Sequence, residues 1–261
     1  MTTIKLGMHQ PNPNRNPDFK STKRLFGARI APNQVVRPGI DPNPQMYRND
    51  ELSNCTAVST YNGARAIFKI VENTSNIDLN VSTENVVSFY SQCSGYNPNI
   101  PGTDTGADID HVMKTAATFG IPTLTQTKLY PLIGQFDPED LETIRCGLDA
   151  FGCLHFGVGL ALADQTTGGV WDTTTPGDQT LASWGWHDLN IFSYTGKEDT
   201  DLVTLLTWGG QQKATWRWVK ARMAICAGMA FHQLTTPTMQ TVNRTAWDNF
   251  VVDNASALGR L

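Results

Sequence analysis

Residues 49–61 read Asn-Asp-Glu-Leu-Ser-Asn-Cys-Thr-Ala-Val-Ser-Thr-Tyr and place Cys55 between two kinds of sequence. The residues before it are rich in proline and asparagine. Those after it carry apolar side chains at helical spacing, at Ala57, Tyr61, Ala64, Phe68 and Val71. This pattern predicts a buried helix that begins at Cys55 and ends near Asn73. Because a helix N-terminus favours a thiolate over a thiol, Cys55 is a candidate nucleophile, and an ordinary buried cysteine is the alternative.

The composition predicts a globular protein with a large core, because 40% of the 261 residues are hydrophobic. The formal net charge of −4, without a long basic run, argues against a nucleic-acid partner. No apolar run reaches membrane-spanning length, and residues 1–15 lack the layout of a signal peptide. We therefore expect no membrane contact, and a location in the cytoplasm or in a particle, such as a virion, that is assembled there.

The cysteine pattern argues against disulfides and against a metal site. Five cysteines form an odd set without close pairing, so reduced thiols are expected. Cys146, Cys153 and His155 suggest a zinc site, but the spacing between the two cysteines is wrong for a zinc knuckle. The sequence predicts neither a metal ion nor a cofactor.

The chain divides into three predicted parts. Residues 1–48 are rich in proline and asparagine and predict an extended arm that docks on a surface or on a protein partner. Residues 49–150 predict a helical lobe, and residues 151–261 predict a β lobe with a C-terminal helical extension. Helices followed by strands indicate an α+β fold of two lobes that form one domain, with a cleft between them.

Individual elements follow from periodicity and from start and stop signals. Helices are predicted at 55–73, 85–93 and 107–119, the second starting at Ser82-Thr83-Glu84 and the third stopping at Gly120. An extended piece is predicted at 77–81, and strands at 153–160, 186–194 and 201–208. A polar loop is expected at 164–183, and an amphipathic segment at 215–231.

A thiolate nucleophile needs an imidazole that takes up its proton and returns it. Three of the five histidines lie in the arm, on the solvent side of a helix and in the C-terminal segment: His9, His111 and His232. His155 lies within an apolar strand and is interpreted as a core histidine. His187 follows a turn at the mouth of a strand, far along the chain from Cys55, and is the preferred base.

Four blocks in this order resemble the papain-like cysteine peptidases, in particular the compact bacterial and viral members without a propeptide. They are 48–57 with Cys-Thr-Ala, 104–122 with Asp-x-Gly, 186–196 with the histidine, and Thr-Trp-Gly at 207–209. The resemblance implies a papain-like two-lobed fold, in which a helical lobe and an antiparallel β-sheet or barrel lobe flank the active-site cleft.

The resemblance also implies roles for individual residues. Cys55 would be the nucleophile, and His187 the general base and then the general acid. The oxyanion would be bound by the Cys55 N–H and by the side-chain amide of Asn49, where the family normally has glutamine. Gly106 would offer main-chain hydrogen bonds to an extended substrate, and Trp208 would shield the site.

Two positions depart from the family pattern. Leu206 aligns with the asparagine that orients the histidine, so Thr204 or Thr207 is a candidate replacement after a slip in register. Asp188 stands where the family commonly has an alanine that lines the pocket for the P2 side chain. Its carboxylate predicts a preference for a basic P2 side chain, and a carboxylate held by a hydrogen bond or exposed to solvent is the alternative.

Two functions remain open from the sequence. The first is a cysteine endopeptidase that cleaves an extended peptide or protein substrate through Cys55 and His187. The second is a catalytically decayed papain-like fold kept as a structural or binding protein, for example in a virus or phage particle, which Leu206 and Asn49 support. The residues before Cys55 leave no room for an ordinary inhibitory prodomain, so control is expected to come from elsewhere.

Overall fold

The structure, a computed structural model, describes residues 5–12, 23–26, 28–72, 79, 81–124, 128–165 and 169–231. The predicted C-terminal extension, His232 and most of the predicted extended piece at 77–81 lie outside these residues. Its helices are α1 Lys23–Phe26, α2 Cys55–Glu72, α3 Thr83–Ser94, α4 Ile109–Phe119, α5 Leu141–Phe151 and α6 Trp216–Arg222.

The helix boundaries follow from capping residues. The hydroxyl of Ser82 accepts a hydrogen bond from the Asn85 N–H at the start of α3, and Asp108 caps α4 in the same way. Gly120 ends α4 with a φ of 78°, a conformation that favours glycine. The predicted helix starting at Ser82 and the predicted stop at Gly120 therefore agree with the structure.

The strands form one large antiparallel sheet and one short ladder. They are β1 Ile121–Pro122, β2 Lys128–Leu129, β3 Leu132–Phe136, β4 Leu154–Leu160, β5 Gly185–Tyr194, β6 Leu202–Thr207, β7 Gly210–Thr215 and β8 Met223–Ala230. β1 pairs with β2, and the other six strands lie in the order β3-β8-β4-β5-β6-β7. The fold is α+β, as predicted, but in the described chain the sheet stays open and does not close into a barrel.

The segment 215–231, predicted only as amphipathic, divides into α6 and β8. β8 lies inside the sheet between β3 and β4, and its residues from Ile225 onward are buried, because its two faces contribute to the two cores on either side of the sheet. A fully buried strand has no polar face, and periodicity alone does not separate it from a buried helix. β3 joins the same sheet, although it precedes residue 151; the lobe boundaries stay a prediction.

Helices cover both faces of the six-stranded sheet. On one face, α2, α3 and α4 enclose a core that also receives Leu206 and Met229 from the sheet. On the other face, α1, α5 and α6 pack against side chains such as Leu189 and Ile191. α2 lies against β5, so its first residue, Cys55, meets the strand that carries His187.

Helix α5 is held against β3 by a close approach that requires glycine. A Cβ atom at Gly147 would lie 2.2 Å from the ring of Phe136. We expect Gly147→Ala to lower the free energy of unfolding by about 1–3 kcal/mol, because overpacking outweighs the better helix propensity of alanine. Thermal or urea unfolding measures this. Gly169→Ala, whose Cβ would have no neighbour within 4 Å, is the control, and equal stability of the two variants would contradict the packing.

Candidate active site

The turn before Cys55 is fixed by buried amide side chains. Asn54 donates through Nδ2 to the carbonyl oxygen of Tyr47 at 2.9 Å. Asn49 donates through its own Nδ2 to Asn54 Oδ1 at 3.2 Å and to the Leu52 carbonyl at 3.4 Å. This network sets the main-chain path into α2. The Asn49 amide takes part in this network, and it would have to break these hydrogen bonds to bind an oxyanion. The predicted oxyanion role of Asn49 therefore stays a prediction.

Asp104 joins the turn to two other parts of the chain, a role that sequence reasoning missed. Its carboxylate accepts hydrogen bonds from the Ser53 N–H at 2.9 Å, the Tyr90 hydroxyl at 2.8 Å and the Lys5 ammonium at 2.9 Å. Burial opposes the charge, but these donors outweigh it and lower the pKa of Asp104. The spacing of Asp104 before Gly106 was the only sequence signal.

His187 is fully buried on β5 and held by two residues of the β6–β7 turn. Its Nε2 lies 2.8 Å from the Thr207 hydroxyl, and the Trp208 ring stacks on the imidazole with centroids 4.3 Å apart. Trp208 and Gly209 have positive φ angles of 44° and 69°, which make the tight turn. Of the two candidate threonines, Thr207 is therefore the one in contact with His187.

Thr204 and Leu206 lie elsewhere on β6. The Thr204 hydroxyl is 2.8 Å from the Ser193 hydroxyl and accepts from the Lys213 ammonium. Leu206 pairs with Asn190 and is buried in the core beside α2. The aligned position of the family's orienting asparagine is thus apolar, and its neighbour Thr207 provides the hydroxyl.

The Cys55 sulfur and the histidine strand meet through main-chain atoms. The N–H of Asp188, the residue after His187, donates to the Cys55 sulfur, as do the N–H groups of Gly7 and Thr56. Among the described residues, no hydrogen bond joins Cys55 to His187, whose Nδ1 has no partner. The two candidate catalytic residues therefore lie on adjoining elements, but side chains alternate along β5, so the imidazole of His187 points toward Trp208, on the face opposite to Asp188 and Cys55.

An extended piece of the N-terminal arm, residues 5–9, lies across Cys55; we call it the cleft segment. The Ala107 N–H donates to the Gly7 carbonyl at 2.9 Å, and the His9 N–H donates to the Ala107 carbonyl at 3.1 Å. Met8 pairs in parallel with Ala107 and donates to the Trp186 carbonyl at 3.4 Å. The cleft segment thus makes main-chain bonds to both sides of Cys55, as an extended peptide would.

Glycines make room for the cleft segment. A Cβ atom at Gly7 would lie 1.9 Å from the Ser53 carbonyl oxygen, and one at Gly106 would lie 2.2 Å from the Gly7 carbonyl oxygen. One at Gly157 would lie 2.8 Å from Met8 Sδ. Gly106 therefore lies beside an extended chain, and its role in substrate binding stays a prediction. Met8 is buried in a pocket that Gly157 leaves open.

Burial dominates the ionisation of both candidate catalytic residues. Burial, followed by the charge of Asp188, raises the pKa of the Cys55 thiol to about 12, although main-chain donors oppose the shift. Burial also lowers the pKa of His187 to about 3. At neutral pH, Cys55 is a thiol and His187 is uncharged. The thiolate expected from the helix N-terminus is absent because the loss of water outweighs the helix dipole.

The remaining candidates occupy other environments. The Asp188 carboxylate is buried and lies 3.5 Å from Nδ1 of His155, which is itself buried. His111 is exposed on α4, and His9 belongs to the cleft segment. Cys146 Sγ contacts the Arg29 carbonyl at 3.6 Å.

Within the described ranges, no three or more His, Cys, Asp or Glu side chains are grouped so that they could hold a metal ion. The same ranges contain no helix that is both long and apolar enough to cross a membrane. All five cysteines are buried, and none of them forms a disulfide.

Solved structures of cysteine proteases share this fold. Xylellain from Xylella fastidiosa is 13% identical, with a TM-score of 0.62 over 88% of this chain and 97% of xylellain. Procathepsin B S9 from Trypanosoma congolense is 13% identical, with a TM-score of 0.56 over 87% and 86% of the two chains. Digestive procathepsin L 3 of Tenebrio molitor is 13% identical, with a TM-score of 0.55 over 88% and 77%. No protein-family model and no curated protein sequence matches the chain.

The cleft segment lies against Cys55, so its removal is expected to expose the thiol. We expect Gly7→Ala to unseat the segment, because the added methyl group overlaps the main chain at Ser53. Such overpacking costs about 1–3 kcal/mol, so alkylation of Cys55 by iodoacetamide should become about tenfold faster or more. Peptide mapping by mass spectrometry measures the rate at Cys55. Gly169→Ala is the matched control. If Gly7→Ala leaves the alkylation rate of Cys55 unchanged, the cleft segment does not cover Cys55 as described.

Proposed function

We propose that this chain, which has the fold of the papain-like cysteine proteases, is a thiol peptidase that is latent in the conformation described. Cys55 is the nucleophile, His187 is the general base and then the general acid, and residues 5–9 keep the cleft closed. The observation that carries the proposal is the junction at the Cys55 sulfur. There the histidine strand and an extended peptide both donate main-chain N–H groups to one thiol.

The reaction follows from the groups at this junction. Because the His187 side chain points to the face of β5 opposite to Asp188, this end of β5 must shift for the imidazole to reach Cys55. His187 then takes the Cys55 proton, and the sulfur attacks the carbonyl carbon of the scissile peptide bond. The Cys55 N–H stabilises the oxyanion, and Asn49 adds a second donor if its amide turns from Asn54. His187 then protonates the leaving amine, which gives a thioester. Water, deprotonated by His187, hydrolyses the thioester and restores the thiol.

Thr207 and Trp208 support the role of His187. An Nε2–H donated to the Thr207 hydroxyl leaves Nδ1 as the basic nitrogen, which matches the unpartnered Nδ1. The Trp208 ring excludes water from one face of the imidazole. In this arrangement, a hydroxyl replaces the amide that orients the histidine in the family.

Latency follows from desolvation. With the cleft segment seated, the thiol and the neutral imidazole are both favoured, because no water stabilises the charged pair. Removal of the segment admits water and substrate, which lowers the pKa of Cys55 and raises that of His187. Both shifts favour proton transfer. In this proposal a short segment of the arm supplies the control.

A structural or binding protein is the second candidate. It is supported by the cleft that the chain itself fills and by the hydrogen bonds that engage Asn49. In this case Cys55 would remain unreactive after the segment is displaced. A particle component and a protein partner for the arm stay predictions, and the solved structures that share the fold have no bearing on them.

Peptidase activity decides between the two candidates. In the Gly7→Ala background, we expect hydrolysis of a fluorogenic peptide library, and we expect Cys55→Ala or His187→Ala to abolish it. Thr207→Val should lower kcat on the order of 10-fold to 100-fold, because the imidazole loses its orienting acceptor. Thr204→Val removes a hydroxyl from the same strand and should leave kcat unchanged.

Folded Gly7→Ala protein that neither hydrolyses peptides nor is alkylated at Cys55 would exclude the peptidase. Equal kcat values for Thr207→Val and Thr204→Val would remove Thr207 from the mechanism but leave the peptidase in place. Circular dichroism establishes that each variant is folded.

The pocket that receives Met8 suggests the substrate preference beside Cys55. The Met8 side chain and Ile225 both lie beside Gly157, whereas the Asp188 carboxylate faces His155. This supports the hydrogen-bonded interpretation of Asp188 over a preference for a basic P2 residue. We expect peptides with Leu or Met at P2 to exceed those with Arg by about tenfold in kcat/KM. A larger kcat/KM for the P2-Arg peptide would show that Asp188 recognises a basic side chain.

A further inference from the structure

A cluster of buried polar side chains lies behind Cys55, between α2 and the sheet. His155 pairs with Asn190, and Gly157 pairs with Asp188, so these side chains share the sheet face that is covered by α2. A Cβ atom at Gly63 of α2 would lie 2.9 Å from Asn190 Nδ2 and 3.1 Å from His155 Nε2. Helix α2 therefore approaches the cluster at a glycine.

The cluster is costly for a core position. His155 Nε2, Asp188 Oδ1 and both polar atoms of Asn190 are buried without a hydrogen-bond partner. Each such group opposes folding, and a buried carboxylate opposes it more strongly than a neutral group. The contact of Asp188 with His155, at 3.5 Å, is at the outer limit of a hydrogen bond. Packing alone does not explain these residues at this place.

Asp188 acts on Cys55 in two opposite ways. Its main-chain N–H donates to the sulfur and favours the thiolate, whereas its side-chain charge disfavours the thiolate. The main-chain contact is constant, but the charge depends on whether the carboxylate holds a proton. The protonation of one side chain can therefore change the reactivity of the thiol beside it.

We propose that His155 and Asp188 form a buried proton-binding pair that sets the reactivity of Cys55, with the thiolate favoured when the Asp188 carboxyl is protonated. His155 is a positioning residue in this scheme, because it acts on Cys55 through Asp188. The inference rests on the proposed role of Cys55 as the nucleophile. It adds a pH response that the assignment of Cys55 and His187 does not contain.

The range of the response follows from the environment of Asp188. Burial raises the pKa of Asp188 to about 6, and the hydrogen bond with His155 opposes that shift. Above pH 6 the carboxylate is charged and opposes the thiolate; below pH 6 it is neutral. The proton that Asp188 takes up comes from solvent, and no other bond changes.

The other elements around Asp188 contribute few ionisable groups. Cys55 faces it from α2 and His155 from β4, whereas His187 lies on the opposite face of β5. The facing part of β8 is apolar, and the nearby cleft segment contributes Gly7 and Met8. Lys5, at the start of that segment, is paired with Asp104. The Asp188 charge therefore acts on Cys55 without a competing buried cation.

The test is the ratio of Cys55 alkylation rates in Asp188→Asn and wild-type full-length protein, measured with iodoacetamide between pH 4.5 and 8. We expect a ratio near one below pH 5 that rises to about tenfold above pH 7, because one pKa unit of charge repulsion is removed only where Asp188 is ionised. Opening of the cleft segment affects both proteins and cancels in the ratio. A ratio that is independent of pH would overturn the proposal.

Two further variants keep the test decisive. Asp149→Asn removes a carboxylate from α5, on the other face of the sheet, and should give a ratio of one at every pH. His155→Leu removes the donor that stabilises the Asp188 charge, so the pH at which the alkylation profile bends should rise above that of wild type. If the alkylation profile of His155→Leu bends at the same pH as that of wild type, the proposed pairing of His155 with Asp188 is refuted, even if Asp188→Asn fails to fold.

Access and function are separated in this design. If wild-type Cys55 reacts too slowly, all proteins carry Gly7→Ala, and the same ratio is measured. The readout is thiol alkylation and not peptide hydrolysis. A pH-dependent ratio in a protein without peptidase activity would therefore retain the proton-binding pair and exclude the peptidase. Peptide hydrolysis together with an alkylation-rate ratio that does not change with pH would retain the peptidase and exclude the proton-binding pair.

Discussion

The N-terminal end of α2 packs on β5, and the rest of the site depends on this contact. It buries the Cys55 sulfur against the main chain of Asp188, and the preceding residue, His187, is buried on the opposite face of the same strand. Removal of water disfavours every charge there, so the fold by itself holds a thiol and a neutral imidazole. Any reactivity of this cleft therefore depends on what restores solvent or removes an opposing charge.

The cleft segment packs against Cys55 and adds to its burial. It is held by main-chain hydrogen bonds to Ala107 and by the ion pair between Lys5 and Asp104. Water can replace both kinds of contact. Gly7 lets the chain pass against Ser53, where any side chain would overlap the main chain. Release of the cleft segment requires only a local change, since no secondary-structure element of the core includes it.

Two aspartates near Cys55 show how environment assigns different roles to one residue type. Asp104 is partly exposed and accepts three donors, so it stays charged and ties the loop, the turn and the cleft segment together. Asp188 is fully buried and has one distant partner, His155. Burial disfavours its charged form, so the pKa of Asp188 is raised and the carboxyl keeps its proton to higher pH. The first carboxylate is suited to hold structure, whereas the second is suited to respond to pH.

The local pattern of the sequence determined the helix that begins at Cys55 and the helix capped by Ser82. It also determined the strands β4, β5 and β6 and the α+β class. Periodicity and capping act within a few residues, so they can be read from the sequence. It also singled out Cys55 and His187. Tertiary structure decided the partner of His187, because the tight turn after β6 presents the hydroxyl of Thr207. It also decided that β8 is a central strand, that Met8 lies in the cleft and that burial outweighs the helix dipole at Cys55. These features arise from pairings between residues far apart in the chain, and desolvation depends on everything that surrounds a group.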